Sequence, residues 1–101
     1  MSHMNDIIEM LKDYLAENAQ HLPEELINVL VTGDYAQSKQ TMFSTIDLVL
    51  VFKGELFNED EKQMRAMLDD FCEFPTINMT CVSNKSEGKQ AKKGAVTLWK
   101  K

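Results

Sequence analysis

The segment LVTGDYAQSKQTMFSTIDLVLVF, residues 30–52, decides the fold that we expect for this chain of 101 residues. Two apolar runs, at 26–31 and 46–52, are rich in Val, Ile and Leu and are short enough to be buried strands. The connector between them is polar; it opens on Gly33-Asp34 and closes on Thr45-Ile46-Asp47. We therefore predict two buried strands, the first of which ends in a sharp turn at Gly33.

The start of the second strand has the spacing of a metal site. Thr45 and Asp47 are two residues apart, so their side chains point to the same side of the sheet. Two carboxylates at such positions, with a third from a neighbouring strand, could hold a pair of Mg²⁺ ions against a triphosphate. Because the hydroxyl of Thr45 carries no charge, this pair of positions supplies a single carboxylate.

This sequence pattern resembles the signature of the minimal nucleotidyltransferases of the polymerase-β superfamily. In that signature Gly-Ser is followed by ten residues and then by Asp-x-Asp. Here ten residues separate Gly33-Asp34 from Thr45-Ile46-Asp47. The family's third metal carboxylate lies on a later strand, where this chain has Ile77-Asn78-Met79. The closing phrase KKGAVTLWK, residues 92–100, is also similar to the end of these proteins. The resemblance covers nearly the whole chain.

At the metal-binding positions of the family this chain keeps one acid of three. Thr45 and Asn78 replace two of the aspartates, and Asp47 remains. Two Mg²⁺ and a nucleoside triphosphate bring about four positive and about four negative charges, and each misplaced charge in a low-dielectric cleft costs several kcal/mol. We therefore predict a catalytically degenerate site without a cofactor. The alternative is a residual nucleotidyltransferase or Mg-nucleotide sensor, in which Asp47 binds one Mg²⁺ and ATP.

The nucleotide-binding positions implied by the resemblance are Gly33, Asp34, Ser38 and Lys39. Asp34 replaces a serine whose hydroxyl and neighbouring amides meet the phosphates at the start of a helix. A carboxylate caps a helix well, but it repels a triphosphate. Ser38 replaces a frequent glycine of the phosphate loop, and Lys39 either meets an anion or is simply exposed. These substitutions favour a structural role for this segment over nucleotide binding.

The resemblance also implies a partner. Minimal nucleotidyltransferases commonly occur with an all-helical HEPN protein as a two-component toxin and antitoxin, so we predict an antitoxin-like module that binds such a protein. The net charge of −5 suits a basic partner. A further alternative is a self-associating structural domain, a homo-oligomer, in which the last strand at 95–99 pairs at a sheet edge and Trp99 is available as an anchor.

Composition excludes several classes of function. A pI near 4.9 argues against non-specific binding of nucleic acid, although the last seventeen residues are basic. No apolar run approaches the roughly 20 residues of a membrane span, and no signal peptide is visible. Cys72 and Cys81 occupy apolar positions, which indicates reduced core residues in a cytoplasmic protein. With His21 as the only native histidine, two cysteines argue against zinc.

The order of elements predicts an α/β (α+β) domain. Residues 1–3 look like an expression-tag remnant, and 4–101 form a single nucleotidyltransferase-like domain. We expect a mixed sheet of three to four strands with helices packed on it. The predicted helices span 6–19, 35–40 and 59–73, the last of them capped by Asn58, and the predicted strands span 26–32, 44–52, 76–82 and 95–99. The strand at 44–52 is apolar on both faces and should be central.

Overall fold

The computed structural model describes residues 6–37, 45–72, 76–84 and 95–101. Within these ranges the chain forms helices and strands whose types agree with the predicted order. The helices are α1 (Asp6–Glu17), α2 (Gly33–Ala36, a single turn) and α3 (Asn58–Phe71), and a 3-10 turn at Ala19–His21 follows α1. The strands are β1 (Leu26–Thr32), β2 (Ile46–Phe52), β3 (Ile77–Ser83) and β4 (Val96–Lys100).

The strands form one mixed sheet in the order β3-β2-β1-β4. β1 pairs antiparallel with both β2 and β4, whereas β2 and β3 are parallel. Parallel neighbours need a crossover connection, and α3 lies in the chain between β2 and β3. The predicted α+β fold with a mixed sheet of three to four strands is confirmed, and the sheet has four strands. The central position predicted for β2 is confirmed as well.

The core lies between one face of the sheet and the helices α1 and α3. The alternate β2 residues Ile46, Leu48, Leu50 and Phe52 are all buried in it, together with residues of both helices. The main helical contributors are Leu11 and Leu15 from α1 and Met64 and Leu68 from α3. Complete burial of such a side chain contributes about 1.5–3 kcal/mol. Successive side chains of a strand point to opposite faces, so Asp47 lies on the face of the sheet away from the core.

The bounds of α1, β2, β3 and β4 differ from the predicted ranges by one or two residues, and three differences at α2 and α3 are larger or concern a cap. Asn58 is the first residue of α3 and not its cap, because the extended Phe57 holds the N-cap position and makes no side-chain bond there. The helix ends at Phe71, since Cys72 is already extended, with φ −165° and ψ 133°. The turn after β1 begins at Gly33, earlier than the predicted helix at 35–40, the end of which lies outside the described residues.

The two cysteines are half-buried and not enclosed in the core, although Cys81 packs against it. Cys81 lies on β3 at one edge of the sheet, and Cys72 lies at the end of α3, so neither position is enclosed from all sides. His21 is exposed. Trp99 packs against the core. No described helix has the length and apolar character needed to cross a membrane.

Candidate functional site

The candidate site lies at the beginning of β2, on the side of the sheet away from the core. Asp47 is flanked in the register by Thr32 of β1 and by Asn78 of β3. Thr45 comes immediately before the strand and shares its side with Asp47. The structure therefore brings together the three positions that the resemblance implied as metal ligands, although Asn78 is 31 residues away along the chain.

Both neighbours of Asp47 donate hydrogen bonds to the same oxygen of its carboxylate. The Thr45 hydroxyl donates to Oδ1 of Asp47 at 3.3 Å, and the Asn78 side-chain amide donates to Oδ1 at 3.1 Å. Asp47 is half-buried and Asn78 is exposed. Hydrogen bonds to an ionised carboxylate are among the stronger ones in proteins. The site is thus a single acid held by two donors.

Gly33 closes the other side of the carboxylate. Its φ of +74° is in the left-handed region, which favours glycine. A Cβ added at Gly33 would lie 2.6 Å from Oδ2 of Asp47, a distance that real Cβ atoms do not adopt. Glycine is therefore required here twice, once by the backbone and once by the close approach of Asp47. The sequence signal for this arrangement was the glycine at the end of the first apolar run.

The remaining predicted positions lie after Gly33. Asp34 is the second residue of α2, directly behind the turn. The Gln37 amide donates to the Gly33 carbonyl, which closes that turn at 3.2 Å. Ser38 and Lys39 lie outside the described residues, so their predicted contact with an anion stays a prediction.

The described side chains do not fit a pair of magnesium ions. No group of three or more His, Cys, Asp or Glu residues among them could hold a metal ion. At Asp47 the two nearest polar partners present hydrogen-bond donors to the oxygen that a cation would need. Mg²⁺ requires near-octahedral oxygen ligands with enough negative charge to replace part of its hydration shell.

A second polar region, which the sequence did not indicate, lies between α3 and β3. A groove of about 480 Å³ is lined there by Glu61, Lys62, Arg65, Ala66, Asp69 and Met79. Arg65 donates from Nη1 to the Ile77 carbonyl at 3.2 Å. Burial, and then Glu61, raise the pKa of the nearby Cys81 thiol to about 11, and Arg65 opposes part of this shift. The groove depends on how α3 packs beside β3, which no local pattern reveals.

Comparison with known proteins identifies solved structures that share this fold. No protein-family model and no curated protein matches the chain. Among solved structures, a protein of Sulfolobus solfataricus with a provisional nucleotidyltransferase assignment is 24% identical, with a TM-score of 0.65 over 97% of this chain and 84% of that one. The chain has a nucleotidyltransferase-like fold. The resemblance inferred from residues 33–47 is confirmed at this level.

Two further neighbours of this nucleotidyltransferase-like chain come from toxin–antitoxin structures. One is a toxin–antitoxin with AMP-PNP, at 16% identity and a TM-score of 0.60. The other is the toxin–antitoxin MntA-HpeT with two Asp-to-Glu substitutions, at 16% identity and a TM-score of 0.61. Each match covers 89% of this chain and 73% of the neighbour. At these identities the likeness shows the shared fold.

Proposed function

We propose that this nucleotidyltransferase-like domain is catalytically degenerate and functions by binding a protein partner, as an antitoxin does. The observation that carries the proposal is the hydrogen bonding of Asp47. Its Oδ1 accepts from both Thr45 and Asn78, so the two positions where carboxylates would be needed supply donors in their place. A cation at Oδ1 would face the positive ends of two polar groups.

Charge supports a protein partner over a polyphosphate substrate. The chain carries a net charge of −5, which slows the approach of anions and speeds the approach of basic proteins. Two of the neighbouring structures are toxin–antitoxin structures. We infer a basic, all-helical HEPN-like toxin as the first candidate partner, with a second copy of the chain as the next. We also infer a cytoplasmic location, where thiols such as those of Cys72 and Cys81 remain reduced.

The alternative is a sensor of Mg-nucleotide. Two observations favour it: the half-buried Asp47 keeps Oδ2 beside the Gly33 turn, and one neighbour was solved with AMP-PNP. In this case Asp47 binds one Mg²⁺, with Thr45 and Asn78 assisting. The two functions differ in whether a nucleotide binds the folded chain.

A thermal shift experiment separates these functions. A ligand that binds only the folded state stabilises it by RT ln(1 + [L]/Kd), which is about 2.7 kcal/mol at a concentration of about 100 Kd. We expect no change in Tm with millimolar MgATP or Mg-AMP-PNP. A rise in Tm that disappears in Asp47→Ala would establish the sensor and refute the degenerate site.

Partner binding needs its own experiment. The tagged chain is used for affinity capture from native lysate, and each captured protein is then purified and recombined with the untagged chain. We expect a stoichiometric complex with a basic protein, whose association rate falls as salt screens the charges. A chain that stays monomeric and forms no complex with purified candidates would refute the proposal.

A further inference from the structure

The strand β3 forms one edge of the sheet among the residues that the structure describes. Within the described ranges it pairs with β2 alone, over seven register pairs without a bulge. Its sequence, INMTCVS, contains no charged residue and no proline. Native proteins protect long edge strands with charges, prolines or bulges, because an open edge is a template for another strand. The opposite edge, β4, has a register shift against β1 and ends in Lys100.

Two ladder hydrogen bonds between β2 and β3 show which main-chain groups of β3 are directed outward. The Ile46 amide donates to the Thr76 carbonyl, and the Asn84 amide donates to the Phe52 carbonyl, each at 2.8 Å. Even-numbered residues of this strand therefore bond to β2, and the N–H and C=O groups of odd-numbered residues point away from it. The Ile77 carbonyl is one of these, and Arg65 bonds to it. Met79 and Cys81 present the next two outward pairs.

The groove between α3 and β3 runs beside these outward groups. Side chains of the odd-numbered β3 residues lie on the same face as the buried Ile77, which is the face covered by α3. Met79 and Ala66 supply the apolar part of the groove, and Asp69, 66% exposed, supplies a carboxylate at its border. A strand added along β3 would place alternate side chains into this space.

We propose that the β3 edge binds an extended segment of the partner protein, such as a tail outside its helices, as a fifth strand. Main-chain bonds to Met79 and Cys81 hold the segment, an apolar side chain fills the groove at Met79 and Ala66, and Lys or Arg residues flank it. Affinity in such complexes comes from main-chain bonds and specificity from the alternate side chains. This inference rests on the proposed function, because it names the surface through which the partner binds.

Charge favours a foreign segment over a second copy of the chain. Pairing of two β3 strands would bring two α3 helices together across the junction. Each α3 carries five acids and two bases in NEDEKQMRAMLDDF, so the helices repel one another. A basic segment meets attraction at the same surface. The proposal therefore commits to a basic, extended segment of another protein.

Hydrogen exchange of single amides tests the proposal. The probes are nine-residue peptides with Val, Leu or Phe at alternate positions, Thr between them and Lys at both ends. The control peptide has the same composition except for Pro at the alternate positions, which cannot form the ladder. We expect a pairing peptide to slow exchange of the Met79 and Cys81 amides, while that of Thr80, which already faces β2, is unchanged. The control peptide should protect neither.

Three variants assign the effect to this edge. Met79→Pro removes one outward N–H, a change that edge strands tolerate, and Ala66→Trp fills the groove without touching the ladder. Each should weaken peptide binding by at least about tenfold, equivalent to about 1.4 kcal/mol. Thr80→Ala, on the same strand but with its side chain on the opposite face, should bind as the wild type does. If Met79→Pro does not fold, Ala66→Trp decides alone.

Two results would overturn the inference. One is unchanged exchange of the Met79 and Cys81 amides with all three pairing peptides. The other is slow exchange of both amides without any peptide in a concentrated sample that also forms dimers. That result would assign the edge to a second copy of the chain. If a purified partner binds Met79→Pro and Ala66→Trp as tightly as the wild type, the inference fails and the proposed function stands. If the peptides bind and no partner exists, the proposed function fails.

Discussion

Asn78 on β3 and Asp47 on β2 are a register pair, and the Asn78 side-chain amide donates to Oδ1 of Asp47 at 3.1 Å. The amide gives this position a hydrogen-bond donor and no charge. A carboxylate in its place would have no proton to donate at neutral pH, and it would repel Asp47 unless a cation lay between them. An amide at residue 78 therefore satisfies a hydrogen-bond acceptor of Asp47 without a metal, whereas an acid at this position would need a cation.

Acids introduced at residues 45 and 78 should make the stability of the chain depend on magnesium. In Thr45→Asp/Asn78→Asp three carboxylates meet, so we expect a lower Tm than the wild type without a cation, because like charges repel. Millimolar MgCl₂ should recover stability, by about 2.7 kcal/mol when Mg²⁺ reaches about 100 Kd. The wild type should show no such rise in thermal melts.

The control for this experiment is Thr45→Asn, which adds a polar side chain without charge. It should remain insensitive to MgCl₂. A double variant whose Tm does not respond to Mg²⁺ would show that the three positions are not arranged as ligands.

The two glycines with positive φ provide a matched pair. Gly54 has φ +77° and nothing within 4 Å of an added Cβ, so Gly54→Ala should cost only the backbone strain of about 1 kcal/mol. Gly33→Ala adds a contact of 2.6 Å with Oδ2 of Asp47. Moving that carboxylate breaks its bonds to Thr45 and Asn78, so the total cost should rise by about 1–2 kcal/mol. Urea unfolding measures both variants.

The double variant Gly33→Ala/Asp47→Ala isolates the contact. In the Asp47→Ala background, Gly33→Ala should cost about as much as Gly54→Ala does in the wild type. An unchanged cost in the two backgrounds would contradict the close approach of Gly33 and Asp47.

The Cys81 thiol should react slowly with alkylating reagents. Burial and Glu61 raise its pKa from 9.0 to about 11, so the reactive thiolate at pH 8 is roughly 100-fold rarer than for an unperturbed thiol. Iodoacetamide labelling of the Cys72→Ser variant, followed by mass spectrometry, measures this rate. Glu61→Gln should speed the reaction only in part, because burial is the larger cause of the shift.

The same shift predicts a pH dependence of stability. The folded state binds the Cys81 proton more tightly than the unfolded state, so this contribution is complete below pH 9 and is lost as the pH rises to about 11. Urea midpoints of wild type and Cys81→Ala should therefore converge over that interval. Parallel pH curves for the two proteins would contradict the raised pKa.

Met64 and Met10 test whether the methionines of the chain fill the core or form a surface. Met64 on α3 is 0% exposed, so Met64→Ala should cost about 2–5 kcal/mol through lost burial and a residual cavity. Met10 on α1 is 59% exposed, and Met10→Ala should change the free energy of unfolding by less than about 0.5 kcal/mol. Similar costs for both variants would contradict the packing of α3 on the sheet.

Sequence alone determined the elements and the charge of the site. Short apolar runs rich in Val, Ile and Leu predicted β1 and β2, and the helical period of apolar residues predicted α3, because these patterns record which parts of a local element are buried. The residue types at 45, 47 and 78 are Thr, Asp and Asn, so these three positions supply one acid. The capping of α3 at Phe57 was missed, because this cap uses backbone conformation without a side-chain bond.

Only the tertiary structure decided how these parts meet. It brought Asn78 to the same oxygen as Thr45, set Gly33 against Oδ2 of Asp47, and placed β3 at one edge of the described sheet. The contacts of Asp47 depend on how the strands pair. Asn78 reaches it through the parallel register of β2 and β3, and Gly33 follows β1, the antiparallel neighbour of β2. Local sequence preferences specify an element and its buried side, but the neighbours of that element are selected by the packing of the whole sheet.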